Sequence, residues 1–401
     1  MIFIFYFFAL ILTFLGYKSM RSGINYLNYF KKELVKPKSN FTPFCSIIAP
    51  CRGLDEELSE NLFALFRQNY PKYEILFVVD SDKDKAISVI EEVSRKGAKH
   101  AKSKLIIAGK AIESGQKVHN LRQAVLEVSD ESKVFVFVDS DARPNEDWLR
   151  NLIAPLQDES VGAATGYRWF VSKRGGLFSQ FLSVWNASIA SALGANAKNN
   201  FCWGGSTAIR RETFEKLDMR KKWRGTLSDD FAVTQALKEA KLKIYFVPQC
   251  LMASIENCSF SQLLEFTTRQ MKITRVYAPH LWKASFAGSL LFSFTFWSGF
   301  TALFFLSSWH FWLTLALSIM IFALGAAKAW LRLKAVKIVL KDYRVELDRQ
   351  FLSHITIWTL SPILYFYNCF CALLSRKIVW RGIGYELKSP NKTVIIADNA
   401  E

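Results

Sequence analysis

Residues 133–144, KVFVFVDSDARP, constrain this chain more than any other stretch. Val134–Val138 is an unbroken run of β-branched and aromatic residues, the pattern of a strand buried on both faces. It stops abruptly at Asp139-Ser140-Asp141, followed by Ala142, Arg143 and Pro144. A buried strand that ends in two carboxylates delivers charge to the crevice where open α/β sheets bind ligands. Asp139 and Asp141 can share one hard cation, and Mg²⁺ or Mn²⁺ bridging a diphosphate suits such oxygen ligands. Asp-Ser-Asp is also ordinary turn chemistry. The company this segment keeps decides between the two.

At 401 residues the chain exceeds one typical domain, so a catalytic unit plus something else is expected. Hydrophobic residues make up 51%, with 34 Phe and 12 Trp, and the excess gathers at the two ends. The net charge is +17, but Lys and Arg flank apolar spans, which points to anionic lipid headgroups rather than nucleic acid. The cysteines (Cys45, Cys51, Cys202, Cys250, Cys258, Cys369 and Cys371) are odd in number and form no CxxC pair. They read as reduced thiols with no zinc site.

Residues 2–17, IFIFYFFALILTFLGY, are apolar but short of the ~20 residues of a full span. No basic stretch precedes them and no small-x-small cleavage site follows, so 1–18 reads as a retained anchor, not a signal peptide. Lys18, Arg21, Lys31 and Lys32 come only afterwards, which places the next domain in the cytoplasm. After a polar linker at 36–42, strands at 45–49, 74–79, 104–108 and 134–138 alternate with helices at 57–67, 85–95 and 120–128. That alternation predicts a parallel, doubly wound sheet. A helix at 146–154 and a strand at 162–170 follow. Residues 176–195 read as an interfacial or substrate-covering helix, 201–206 as a glycine loop, 227–240 as a helix and 244–247 as a last strand.

Runs at 286–306 and 309–327 have spanning length and predict a membrane hairpin. The basic segment 328–349 should be cytoplasmic, and 355–374, with Pro362, is a further candidate. If it crosses fully, the tail bearing Arg376, Lys377, Arg381, Lys388 and Lys392 lies outside; a re-entrant path keeps it inside. The expected domains are thus the anchor (1–18), a catalytic α/β domain (40–278), a C-terminal transmembrane region (285–375) and a basic tail (376–401).

Three acidic sites fall on the α/β unit: Asp80/Asp82, Asp139/Asp141 and Asp229/Asp230. The first two end strands at the same sheet edge, where a nucleotide should bind. The third opens a helix, where an acid serves equally as a cap, yet a carboxylate there can take a proton from a hydroxyl nucleophile. Gly115-Gln116-Lys117-Val118-His119-Asn120 turns into a helix and suits a diphosphate, with Lys117 near its start. His119 reads as a helix-start residue. Arg269, Lys272 and Arg275, in FTTRQMKITRVY, are placed to neutralise a departing diphosphate or simply decorate a membrane-facing helix.

With VVDSD, VDSD, SDDF and the basic segment in this order, the chain resembles family 2-type glycosyltransferases, closest to the ceramide glucosyltransferase branch. The resemblance implies a GT-A Rossmann-like nucleotide-binding domain with an N-terminal anchor helix and C-terminal transmembrane helices. It implies an integral protein of the plasma membrane (the inner membrane in a bacterium) that moves a hexose from a UDP-sugar to a membrane lipid hydroxyl with inversion. Candidate donor-binding residues are Pro50, Asp80, Asp82, Lys117, Asn120 and Asp139. Asp139 and Asp141 would hold Mg²⁺ or Mn²⁺, Asp230 would be the general base beside Asp229, and Arg269 would assist catalysis. Trp203, Gly204, Gly205 and Ser206 would face the acceptor. The (Q/R)xxRW element departs from the pattern: it reads Phe266-Thr267-Thr268-Arg269-Gln270. A processive polysaccharide synthase would need more spans than these, and a nucleotide-sensing membrane protein would not need Asp229-Asp230. A small transporter would place charge inside a span.

Overall fold

The apolar runs of the middle of the chain become β1 (Cys45–Pro50), β2 (Tyr73–Val79), β3 (Lys102–Ile107) and β4 (Val134–Val138), then β5 (Val161–Val171), β6 (Ser206–Arg210) and β7 (Lys243–Ile255). In this computed structural model, which describes residues 2–255 and 257–398, the seven form one sheet in the order β3-β2-β1-β4-β6-β5-β7. β1 pairs in parallel with β2 and β4, and β2 with β3. β6 then runs antiparallel to β4 and β5. The expected parallel sheet is therefore parallel only through its first four strands, a mixed α/β sheet of the GT-A type. β6 escapes a sequence reading because STAIR is short and half polar, and β7 is far longer than 244–247.

The chain divides into two compact units. One comprises Lys32–Trp169, Ala192–Ile255 and Lys377–Glu401 and contains the sheet. Its helices are α2 (Leu58–Phe66), α3 (Ala86–Gly97), α4 (Gln116–Ala124), α5 (Trp148–Ile153), α7 (Arg211–Lys216), α8 (Met219–Lys222) and α9 (Asp229–Glu239). One core joins Ile48, Leu76, Val78, Phe135 and Phe137 of the strands to Val118 and Leu121 of α4 and Leu237 of α9. Trp223, wholly buried, meets Phe137 and Phe214 edge-on at 5.4 and 5.2 Å. Such ring pairs add ~0.5–1.5 kcal/mol beyond their buried area.

The expected basic tail is folded. Lys377–Trp380 (β8), Ile383–Ser389 (β9) and Lys392–Asp398 (β10) form an antiparallel sheet in the order β10-β9-β8. Behind the lysines lies a period-two apolar set, and Ile378, Ile383, Tyr385 and Leu387 are all buried. The sheet is fastened to its unit by hydrogen bonds from Thr393 N to Gly225 O (2.9 Å) and from Gln116 N to Tyr385 Oη (3.2 Å).

The other unit comprises Met1–Lys31, Phe170–Ser191 and Glu256–Arg376 and is helical. It holds most of α1 (Ile2–Leu34) together with α6 (Leu177–Ala190), α10 (Phe260–Tyr277), α11 (Pro279–Ala302), α12 (Ser308–Val339), α13 (Arg344–Arg349), α14 (Phe351–Thr356) and α15 (Ser361–Leu374). Among the described residues, α1 and α12 are long and apolar enough to cross a membrane. A third span results if Phe351–Thr359 and Ser361–Leu374, bent by 56°, count as one. The bend falls at Leu360, just ahead of Pro362 in the first turn of α15.

Of the expected hairpin, α12 alone has a span's hydropathy, because Ser285, Gly288, Ser289, Ser293, Thr295, Ser298 and Gly299 dilute the phenylalanines of α11. Ala9, Leu12, Phe296 and Ile321 nevertheless pack α1, α11 and α12 into one cluster. α6, expected as an interfacial or substrate-covering helix, is largely buried in this unit, its Trp185 stacked on Tyr365 at 5.0 Å. The seven cysteines are free.

Candidate active site

The carboxylates converge where β2 and β4 end, and cations separate them. Lys117, second residue of α4, places Nζ 2.6 Å from Asp139 Oδ1 and 3.2 Å from Asp229 Oδ1. Burial opposes its charge, but Asp139, Asp229 and Asp230 together hold the ammonium above the usual lysine range. Burial likewise opposes the charge of Asp139, and Lys117 more than offsets it, leaving this carboxyl below its ordinary range. Asp141 goes the other way. Burial pushes it up, Arg168 pulls it back from 3.3 Å, and the negative charges of Asp139 and Asp55 add to the rise. Asp229, 5% exposed, is pushed up to about 6 by burial against the pull of Lys117, with Asp230 and Asp139 adding to the rise.

The two acids of the Asp-Ser-Asp turn are thus not equivalent. Asp139 is satisfied by Lys117, whereas Asp141 Oδ1 is buried with no hydrogen-bond partner among the described residues. A buried carboxylate oxygen without a donor is costly, and a hard cation is the chemistry that satisfies it. The residues therefore fit Mg²⁺ or Mn²⁺ through Asp141 and Asp139. No group of three His, Cys, Asp or Glu side chains gathers as a complete metal set among the described residues. A ligand would have to supply the remaining oxygens.

Asp229 and Asp230 open α9 after Ser228, at the helix end that favours negative charge. Asp230 Oδ1 accepts from the Ser228 hydroxyl and from Phe231 N at 2.7 Å. Its Oδ2 carries no hydrogen bond among the described residues, so one oxygen is open. Gly204 lies against this pair: a Cβ there would collide with Asp229 Oδ2 and Lys117 Nζ. The glycine loop must therefore be glycine for close approach, not for flexibility. Its Trp203 is buried, with Tyr167 at 5.5 Å and the Arg168 guanidinium 5.4 Å from its ring centre. Gly205 lies against the Trp203 ring. Ser206 begins β6, wholly buried, its hydroxyl accepting from Trp148 Nε1 at 2.8 Å.

On the nucleotide side, Asp80 ends β2, 7% exposed and paired with Arg52. Asp82 sits on an exposed turn beside Ser81, and it is Asp84 that is structural, accepting from Gly53 N (3.0 Å) and Ala86 N (2.8 Å). Pro50 closes β1, buried. Asn120 is buried and accepts from Gln116 Nε2 at 2.8 Å. His119 bonds Ala108 O at 2.9 Å, a structural contact. Arg269 belongs to the helical unit, on α10, 3.4 Å from Glu265 and over the Phe266 ring. Phe266 packs against Phe170 and Trp185, which accounts for an aromatic where the (Q/R)xxRW pattern has a polar residue. Arg275 donates to the carbonyls of Ala372 and Leu373 and so caps α15.

Four charged neighbours were not found by the sequence reading: Arg52, Asp55, Arg168 and Arg381. Asp55 accepts from the Ser140 hydroxyl at 2.6 Å and pairs with Arg381 at 2.6 Å, so it braces the Asp-Ser-Asp turn. Arg168 had a visible signal, a lone charge inside the buried run of β5.

Ceramide glucosyltransferase 3 of Caenorhabditis elegans is 23% identical over 262 residues, 65% of this chain and 56% of that protein. Ceramide glucosyltransferase 1 of the same organism is 21% identical over 248 residues, 60% and 51% of the two chains. The chain thus spans about half the length of these curated relatives. Among solved structures, a mannosyltransferase from Pyrobaculum calidifontis in complex with GDP-Man and Mn²⁺ is 17% identical, covering 88% of this chain and 98% of that one with a TM-score of 0.42. The sequence profile of glycosyl transferase family 21 matches residues 3–393, nearly end to end. A match through anchor, acidic sheet edge, apolar helices and C-terminal sheet alike leaves one assignment: this chain belongs to glycosyl transferase family 21.

Proposed function

We propose that this chain is a membrane-bound glycosyltransferase that moves a hexose from a UDP-sugar to the hydroxyl of a membrane lipid with inversion. The observation that carries the reading is the charged chain Asp229–Lys117–Asp139, continued through Ser140 to Asp141 with its open oxygen. It supports the reading because a cation, a candidate metal ligand and a helix-opening acid pair meet at the end of the parallel strands, the edge at which open α/β sheets bind ligands. The relatives named as ceramide glucosyltransferases and the apolar helices support a lipid acceptor at the membrane surface.

In this mechanism Asp80 orients the nucleoside and Lys117 sets Asp139 in its charged form beside the diphosphate. A divalent cation held by Asp139 and Asp141 would, when bound, neutralise charge on the leaving diphosphate. Asp230, through its open oxygen, takes the proton of the acceptor hydroxyl as that oxygen attacks the anomeric carbon from the face opposite the diphosphate. Asp229, tied to Lys117, fixes the start of α9 so that Asp230 is presented. Trp203 and the close-packed Gly204 wall the acceptor side and keep water out. Positive charge after α1 supports a catalytic unit on the cytoplasmic face, where nucleotide sugars are made.

Lipid extracts from cells with and without the protein, compared by mass, test this reading. A new glycolipid that disappears with Asp230→Asn is the expected result. Identical lipid profiles would remove the acceptor class from the proposal.

A further inference from the structure

The C-terminal sheet reaches into the acidic site through one side chain. β8 and β9 are joined by Arg381-Gly382 alone, since Trp380 pairs with Ile383. Both turn residues have positive φ, 50° and 79°. That is the two-residue hairpin turn that favours Asn-Gly or Asp-Gly. Arginine is a poor residue there, and a long side chain held in the left-handed region marks a position kept for something other than turn stability.

The guanidinium Nη1 donates to Arg52 O at 3.0 Å and pairs with Asp55 Oδ1 at 2.6 Å. Its Nη2 and Nε edge has no partner among the described residues. Asp55 in turn holds Ser140, between Asp139 and Asp141. Burial opposes the charge of Arg381, yet Asp55, Asp141 and Asp139 hold it above its ordinary range, which places it within electrostatic reach of both turn carboxylates. Arg52 is itself the partner of Asp80. Arg381 is thus linked through Asp55 to the turn acids at the end of β4, and through the backbone of Arg52 to the residue that pairs with Asp80.

We infer that Arg381 is a donor-binding residue: it offers the free edge of its fork to the diphosphate of the nucleotide sugar, making the C-terminal sheet part of the donor site. A planar fork with two unoccupied donor positions matches paired phosphate oxygens. Asp55 keeps the cation in place when no phosphate is bound. The inference rests on the glycosyl-transfer reading above and adds to it a recognition element from a segment outside the strand-end acids.

The test uses the full-length protein in detergent, titrated with UDP, GDP and UMP in the presence of Mn²⁺. The decisive variant is Arg381→Asn: asparagine is favoured in this turn, which offsets part of the cost of leaving Asp55 without its cation, so the fold should melt within a few degrees of the parent. Its UDP affinity should fall about tenfold or more, the loss of a charge-assisted hydrogen bond. UMP, with one phosphate, should bind the variant nearly as it binds the parent. Arg381→Lys keeps the charge but not the fork and should fall between. Unchanged UDP affinity in Arg381→Asn overturns the inference while leaving glycosyl transfer standing. A variant that melts well below the parent also overturns it, by assigning Arg381 to the hairpin. A parent that binds neither UDP nor GDP takes down the glycosyl-transfer reading together with this one.

Discussion

Lys117 is the residue on which the acidic site balances, since it is the cation shared by Asp139 and Asp229. Lys117→Met leaves the buried Asp229 and the half-buried Asp139 without their shared cation and should cost roughly 3 kcal/mol, the scale of a broken buried pair. Adding Asp229→Asn should return part of that loss, and thermal melting of the single and double variants reads it. Losses that simply add would show that Lys117 acts elsewhere. Asp229 also carries a pH signature. Its carboxyl titrates near 6 in the fold and about 3.9 in an unfolded chain, so it favours the folded state below ~4 and that contribution fades as pH rises through ~6. Relative to Asp229→Asn, the parent should therefore lose melting temperature between pH 4 and pH 6.5. A difference that stays flat over this range would mean that Asp229 is not raised.

At the scale of elements, the C-terminal sheet contributes a fastening as well as Arg381. Tyr385→Phe removes the hydroxyl that accepts from Gln116 N at the start of α4, and should lower stability by ~1 kcal/mol. An unchanged melting temperature would mean that water replaces it. This sheet is also where the sequence was least legible. Lysines and arginines at 376–392 drew the reading to charge, while the alternating Ile378, Ile383, Tyr385 and Leu387 were hidden by short strands and an unfavourable turn residue. β4, by contrast, was legible to the residue, because five consecutive apolar positions bounded by an acid leave no other reading. The acids of the site were legible for the same reason: each sits at the end or start of a strongly patterned element. Arg52, Asp55 and Arg381 were not, since they come from loops whose convergence depends on tertiary packing alone.

For the whole molecule, the sheet and the residues after Lys377 share one unit, so in the proposed membrane-bound enzyme both are expected on one side of the membrane. The chain between them must then cross an even number of times. With α12 as one span, a single further crossing comes from α11 or from the bent pair, not from both. With the basic residues Arg332, Lys334, Lys337, Lys341 and Arg344 on the cytoplasmic side, the expected path leaves through α11, despite its diluted hydropathy, returns through α12 and makes the bent pair re-entrant. A cysteine placed at position 342 should thus be labelled from the same side as one placed at 390, and labelling from opposite sides would make the bent pair the second span. The central claim, sugar transfer to a lipid by the acid pair at the start of α9, is tested most directly by one measurement. Purified full-length protein is given radiolabelled UDP-sugars and bilayer lipid, and label is counted in the organic phase for the parent and for Asp230→Asn. The account predicts labelled lipid from the parent and ~10²–10⁴-fold less from the variant, the usual share of a general base, with UDP binding retained. Equal transfer by Asp230→Asn, or no labelled lipid from the parent with any donor, would contradict it.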